Sequence, residues 1–65
     1  MDSIEYQIGW IWKEEAGDRS SVKFDYYKAT TAPRAIAKFL KAMEEEYGNA
    51  RSDLRVLSAF PKDGF

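Results

Sequence analysis

Residues 6–15 read YQIGWIWKEE, and this stretch predicts the first strand of the fold. Apolar side chains occupy every second position from Ile4 to Trp12, which is the period of a strand with one buried face. We therefore predict a strand from Ile4 to Lys13. Ile11 departs from this pattern, because it lies between two tryptophans and points to the opposite face. The fold has to explain why an isoleucine occupies that face.

The rest of the chain predicts two more strands and one helix. The charged stretch around Gly17 and Asp18 predicts a hairpin turn, and Ser21–Ala29 alternates as a second strand. Residues 32–47 carry apolar side chains at spacings of three and four, the period of an amphipathic helix. Leu54–Phe60 predicts the third strand.

Both ends of the predicted helix carry capping residues. Thr30 or Thr31 can accept a hydrogen bond from the first turn, where Pro33 fits because its missing N–H is not needed. Gly48 suits the C-cap, since glycine adopts the left-handed conformation with which many helices end.

These elements predict an α+β fold with the order β-β-α-β, built as a single domain from residues 1–65. A right-handed crossover through the helix places the third strand beside the first. We expect a three-stranded antiparallel or mixed sheet with strand order 2-1-3. One helix packs on one face of this sheet, and no element remains to cover the other face.

The alternation also predicts which side chains face the helix. The apolar set of the first strand should pack there together with Val22, Phe24 and Tyr26 of the second strand. The third strand has apolar residues at both parities, so one apolar set must face outward. The uncovered face is then expected to present Ile11, Lys23, Asp25, Tyr27, Arg55, Leu57 and Ala59.

Composition excludes most catalytic chemistry. The chain has no cysteine and no histidine, so it lacks the usual ligands of zinc and copper and any histidine-activated nucleophile. Its four glycines are scattered rather than gathered in a phosphate-binding loop. We predict no enzymatic activity, no cofactor and no metal. The absence of cysteine and of a long apolar run favours a cytoplasmic protein that does not bind membranes.

Three features are candidate partner-binding sites. An apolar patch across the uncovered face, centred on Ile11, Tyr27 and Leu57, is either a binding surface or a slightly apolar solvated sheet. Trp12 is expected near the end of the sheet, either as an anchor for a partner or lying over the stem of Arg19 or Lys23. The third feature is an acidic cluster at the helix end, which either meets a basic groove or is simply solvated. Its residues are Glu44, Glu45 and Glu46, with Asp53 nearby.

The stretch KATTAPRAIAKFL, residues 28–40, resembles the strand-to-helix segment of many small β-β-α-β proteins of phages and mobile elements. Anti-CRISPR proteins and other small inhibitors of bacterial defence are similar in size and build. This resemblance implies a protein that binds and blocks a larger host protein or nucleoprotein complex in the host cytoplasm. It covers about a fifth of the chain and carries no functional residue across.

We therefore predict a non-enzymatic protein-binding module. One alternative is a small module that binds nucleic acid with its sheet. A net charge of −1, and the expectation that Glu5 and Asp25 lie on the uncovered face, argue against phosphate binding. The other alternative is a homodimer with a structural or regulatory role.

Overall fold

The structure, a computed structural model, describes residues 3–62 apart from the side chains of residues 50 and 51. Three strands form one antiparallel sheet in the order β2-β1-β3, and the long helix α1 packs on one of its faces. The predicted α+β fold and strand order are confirmed. The elements are β1 (Ile4–Trp12), β2 (Lys23–Ala29), α1 (Ala32–Tyr47), the short α2 (Ala50–Asp53) and β3 (Leu54–Pro61).

Helix α1 begins and ends at the predicted caps. The hydroxyl of Thr31 accepts a hydrogen bond from the backbone N–H of Arg34 across 3.4 Å, and Pro33 lies in the first turn. Gly48 adopts a positive φ of 76° and donates its N–H to the carbonyl of Glu44. The buried stripe of the helix contains Ala35, Phe39 and Met43.

Aromatic rings hold the sheet to the helix. The Trp10 ring lies 5.5 Å from the Phe39 ring, and Phe39 and Ile8 are the largest side chains that are completely buried. The Tyr27 ring packs against Phe39 from the β2 side at 6.0 Å. The rings of Trp12 and Trp10 are nearly perpendicular, with their centres 5.0 Å apart, so the aromatic cluster extends to the end of β1. Such offset and edge contacts stabilise the fold beyond the area they bury.

A β-bulge in β3 explains why this strand has apolar residues at both parities. Val56 pairs with Trp10 and Ser58 pairs with Gly9, which leaves Leu57 as an extra residue between the two pairs. Compared with a regular strand, one extra residue moves every later side chain of β3 to the opposite face of the sheet. Leu57 is therefore exposed on the face away from the helix.

The bulge corrects the prediction for Ala59. Ala59 pairs with Ile8 and packs against the core, whereas we expected it on the uncovered face together with Leu57. Phe60, the next residue, points outward and is half exposed. Leu54 and Val56, before the bulge, face the helix, so both halves of β3 contribute to one core.

The connection between β1 and β2 is longer than the predicted hairpin turn. It contains two single 3₁₀ turns, Lys13–Glu15 and Arg19–Ser21, and β2 starts at Lys23. Asp18 caps the second turn, accepting hydrogen bonds from the backbone and hydroxyl of Ser20 and from the hydroxyl of Ser21. The hydrogen bond from the Ser20 hydroxyl is the main cause that lowers the pKa of Asp18.

Candidate interaction surfaces

The face of the sheet away from α1, the open face, exposes four large apolar side chains. They are 48% to 53% exposed, although each lies on a strand of the sheet, where burial against a second layer is common. Tyr26 and Phe60 lie on either side of Gln7 across the three strands. We call the four residues the open-face patch: Phe24, Tyr26, Leu57 and Phe60.

Gly9 keeps the middle of the open face flat. It pairs with Phe24 on one side and Ser58 on the other. A Cβ at this position would lie 2.7 Å from Ser58 Oγ and 3.2 Å from the Phe24 ring. The Phe24 ring therefore lies against the bare backbone of β1, and a side chain at position 9 would displace it.

Cations border the open-face patch. Lys62 Nζ forms an ion pair with Glu5 Oε1 at 3.2 Å and lies 5.3 Å from the centre of the Tyr26 ring. Lys28 is the cross-strand neighbour of Glu5, and Arg55 is exposed opposite Ile11 at the other end of the sheet. Within residues 3–62, the outward-facing strand residues thus carry more positive than negative charge.

Ile11 points to the open face, as predicted, but it is only 4% exposed. The β1–β2 connection reaches over that end of the sheet and lines, together with Ile11, a cavity of about 300 Å³. Burial under this connection answers the question raised by the sequence. The expectation that Ile11 forms part of an exposed patch is wrong. The other lining residues are Ala16, Gly17, Asp18, Arg19, Val22, Arg55 and Leu57.

The predicted facing of β2 is also wrong. Tyr27 pairs with Tyr6 on the helix side, and Lys23 and Asp25 share that side, whereas Phe24 and Tyr26 face outward. Val22 precedes β2 and lines the open-face cavity, so it does not pack under the helix as expected.

Hydrogen bonding and packing explain why Lys23 and Asp25 of β2 face the helix side. Asp25 Oδ2 accepts a 2.7 Å hydrogen bond from the indole Nε1 of Trp10. Lys23 Nζ lies 5.5 Å from the centre of the Trp10 ring and forms a 3.3 Å ion pair with Glu15. The Asp25 carboxylate satisfies the indole N–H, which would otherwise be buried without a partner, and the Lys23 ammonium is attracted to the ring.

Tyr27 is partly buried on the helix side of the sheet. Burial raises the pKa of Tyr27, and the negative charges of Asp25 and Glu46 raise it further. Both carboxylates therefore act on the phenol from the helix side of the sheet.

A groove opens on the helix side where β1 and α1 end. The rings of Trp12 and Tyr47 meet edge to face with their centres 5.4 Å apart. The groove has a volume of about 570 Å³, and Lys13, Glu14 and Asp53 complete its lining. Trp12 is half buried beside Trp10 and Tyr47. Lys23, one of the two residues expected to lie over Trp12, lies over the Trp10 ring.

The three consecutive glutamates do not form one compact cluster. Successive helical residues point in different directions, so Glu44, Glu45 and Glu46 spread around the end of α1. Glu44 is partly buried and Glu45 is exposed. The negative charge of Glu46 contributes to the raised pKa of Tyr27.

The described residues contain neither a candidate metal site nor a membrane-spanning helix. No group of carboxylates in residues 3–62 is arranged to hold a metal ion, and no helix there is long and apolar enough to span a bilayer. Comparison with protein-family models, curated protein sequences and solved structures finds no match for this chain.

Proposed function

We propose that this protein is a non-enzymatic protein-binding module that uses the open-face patch to cover a surface of a larger partner protein. The observation that carries the proposal is the exposure of Phe24, Tyr26, Leu57 and Phe60 on one sheet face. A contiguous apolar patch on a chain of 65 residues is typical of an interaction surface, and aromatic residues contribute most to such interfaces.

The charges around the patch indicate what kind of protein surface fits it. Lys28, Arg55 and Lys62 border the patch, and Glu5 is already paired with Lys62. An apolar partner surface with an acidic rim would complement this arrangement, because rim charges guide association and fix orientation. We therefore propose an acidic partner surface.

The blocking role is supported by the resemblance of residues 28–40 to small phage and mobile-element proteins. A module without catalytic groups acts by occupying its partner, so inhibition requires one copy of this chain for each site it blocks. The proposed setting is the host cytoplasm, where such a partner complex would be found.

Single-strand nucleic acid is a second candidate for the open face, and one observation favours it. Asp25, expected to repel phosphate there, lies on the other side of the sheet. Phe24, Tyr26 and Phe60 are exposed rings, and sheet-borne rings beside cations can stack with bases. The net charge of −1 weakens this candidate, because binding of this kind depends on excess positive charge.

Site-specific photo-crosslinking in bacterial cells tests the proposal. A photoreactive phenylalanine analogue replaces Phe24 or Phe60, and the same analogue at Lys41, exposed on α1, is the matched control. The crosslinked partner is identified and purified, and its binding to the wild-type chain is measured by calorimetry. We expect one-to-one binding, and the double variant Tyr26→Ser, Phe60→Ser should weaken it at least tenfold. Stoichiometric addition should inhibit the partner.

A control variant distinguishes the loss of patch side chains from a general effect of replacing an exposed apolar residue by serine. Ile4→Ser removes an apolar side chain that is 44% exposed but lies outside the patch, and it should leave the affinity unchanged. Equal crosslinking at positions 24, 60 and 41, or undiminished binding by the double variant, would overturn the proposal. Crosslinks between two copies of the chain would establish the homodimer instead.

Nucleic acid is tested with a fluorescent 12-nucleotide thymidine strand. Contacts from Lys28, Arg55 and Lys62 to phosphates predict a slope of about −2 for log affinity against log salt. Loss of this binding in Lys28→Glu, but not in Lys41→Glu, would support the second candidate. Absence of binding at low salt would exclude it.

A further inference from the structure

We propose that the groove between Trp12 and Tyr47 binds the guanidinium group of an arginine side chain from a partner polypeptide. The groove lies at the end of β1 and α1, on the helix side of the sheet, and shares no residue with the open-face patch. This second binding site is therefore separate from the proposed function of the open-face patch. The side chains that line it indicate the chemistry of its ligand.

The aromatic wall of the groove is formed before any ligand binds. The centre of the Trp12 ring lies 5.0 Å from that of Trp10 and 5.4 Å from that of Tyr47, and both ring pairs are close to perpendicular. Tyr47 nevertheless remains 56% exposed, although it ends the apolar stripe of an amphipathic helix. These two rings, Tyr47 exposed and Trp12 half buried, offer a fixed π surface that attracts cations.

Two carboxylates give the groove its charge preference. Glu14 and Asp53 line it, and within the described part of the chain neither forms an ion pair. The groove also adjoins the C-terminal end of α1, where the helix dipole favours positive charge. Lys13 supplies a cation at the rim, but the two carboxylates outnumber it.

Arginine fits this lining better than lysine does. A guanidinium is planar, stacks on aromatic rings, and donates paired hydrogen bonds to a carboxylate, whereas an ammonium is a compact and strongly hydrated charge. A volume of about 570 Å³ is within the usual range for small-ligand sites, so it accommodates an arginine side chain with its neighbouring backbone.

Titration with Nα-acetyl-arginine amide, followed by the NMR signal of the Trp12 indole N–H, tests the inference. The uncharged isostere Nα-acetyl-citrulline amide is the control ligand. We expect the arginine compound to bind with a dissociation constant on the order of 1 mM, as a single side chain would. The citrulline compound should leave the Trp12 signal in place, and a Trp12→Phe variant assigns that signal.

Charge-matched variants locate the binding. Glu14→Gln combined with Asp53→Asn should weaken binding of the arginine compound about tenfold, and Lys13→Gln should strengthen it by removing a competing cation. Glu45→Gln removes an exposed carboxylate outside the groove lining and should change the affinity less than twofold. Equal binding of citrulline, or equal effects of Glu45→Gln and the double variant, would overturn the inference. Failure of the open-face experiment would leave these results unaffected.

Discussion

The indole Nε1 of Trp10 donates a hydrogen bond to Asp25 Oδ2 across 2.7 Å, joining the central strand to β2. Trp10 is only 5% exposed, so water cannot readily replace this acceptor. The bond therefore stabilises Asp25 on the helix side of the sheet. Because neighbouring residues of a strand alternate, Phe24 and Tyr26 lie on the open face.

Asp25→Ala should destabilise the fold by about 1–3 kcal/mol, because it leaves a buried indole N–H without an acceptor. Asp25→Asn retains a carbonyl oxygen at the same place and should cost less. Urea unfolding followed by tryptophan fluorescence measures both variants. Identical unfolding of wild type and Asp25→Ala would show that this hydrogen bond does not stabilise the fold.

Gly9→Ala should destabilise the fold by about 1 kcal/mol or more, because the new methyl group would displace the Ser58 hydroxyl and the Phe24 ring. Adding Ser58→Gly should recover part of the loss. Gly17→Ala is the matched control, since no atom lies within 4 Å of its added Cβ and its φ is not positive. The control should be neutral or slightly stabilising. Equal effects at the two glycines would contradict the close packing at Gly9.

Tyr27 should ionise above the ordinary tyrosine pKa of 10.0, chiefly because it is buried. The raised pKa favours the neutral phenol in the folded state. Its contribution to stability is therefore complete below pH 10 and is lost as the pH rises through the folded-state pKa. Tyr27→Phe should reduce this loss. Ultraviolet difference titration of wild type against the variant isolates the phenol, and ionisation at or below pH 10 would place Tyr27 on the exposed face.

Periodicity and capping chemistry predicted most of the architecture. Strand β1, helix α1 and the caps at Thr31 and Gly48 follow from the spacing of apolar residues and from the residue types at the helix ends, both of which are local in the sequence. The facing of β2 was not predictable in this way, because both parities of that strand contain large side chains. One contact that favours the observed facing, the hydrogen bond between Trp10 and Asp25, joins residues 15 positions apart and cannot be read from a local pattern.

The predicted binding surface failed for a related reason. The sequence indicates that apolar side chains reach the open face, but not that a bulge at Leu57 turns Ala59 inward and Phe60 outward. No glycine or proline in Leu54–Phe60 marks the bulge. Trp12 was predicted as a candidate anchor, but the groove beside it was not, because its walls come from four separate elements: β1, the turn Lys13–Glu15, α1 and α2. The sequence did place an aromatic residue, Tyr47, at the last turn of α1, and this was the one signal for an aromatic surface there.

Ile11→Ala should destabilise the fold by about 2–4 kcal/mol, because it empties a buried site beneath the β1–β2 connection. Ile11→Val removes one methylene and should cost about 1 kcal/mol. Leu57→Ala is the control on the same face: Leu57 is 50% exposed, so its truncation should cost about 1 kcal/mol or less. Urea unfolding of the three variants ranks the positions.

The ranking distinguishes a core residue from a surface residue at position 11. If Ile11→Ala and Leu57→Ala cost the same, the connection does not cover Ile11 in solution, and Ile11 would belong to the open-face patch. If Ile11→Ala costs much more, position 11 belongs to the core, because only a buried side chain leaves a cavity when it is truncated. A partner-binding defect in an Ile11 variant would then reflect lost stability rather than a lost contact.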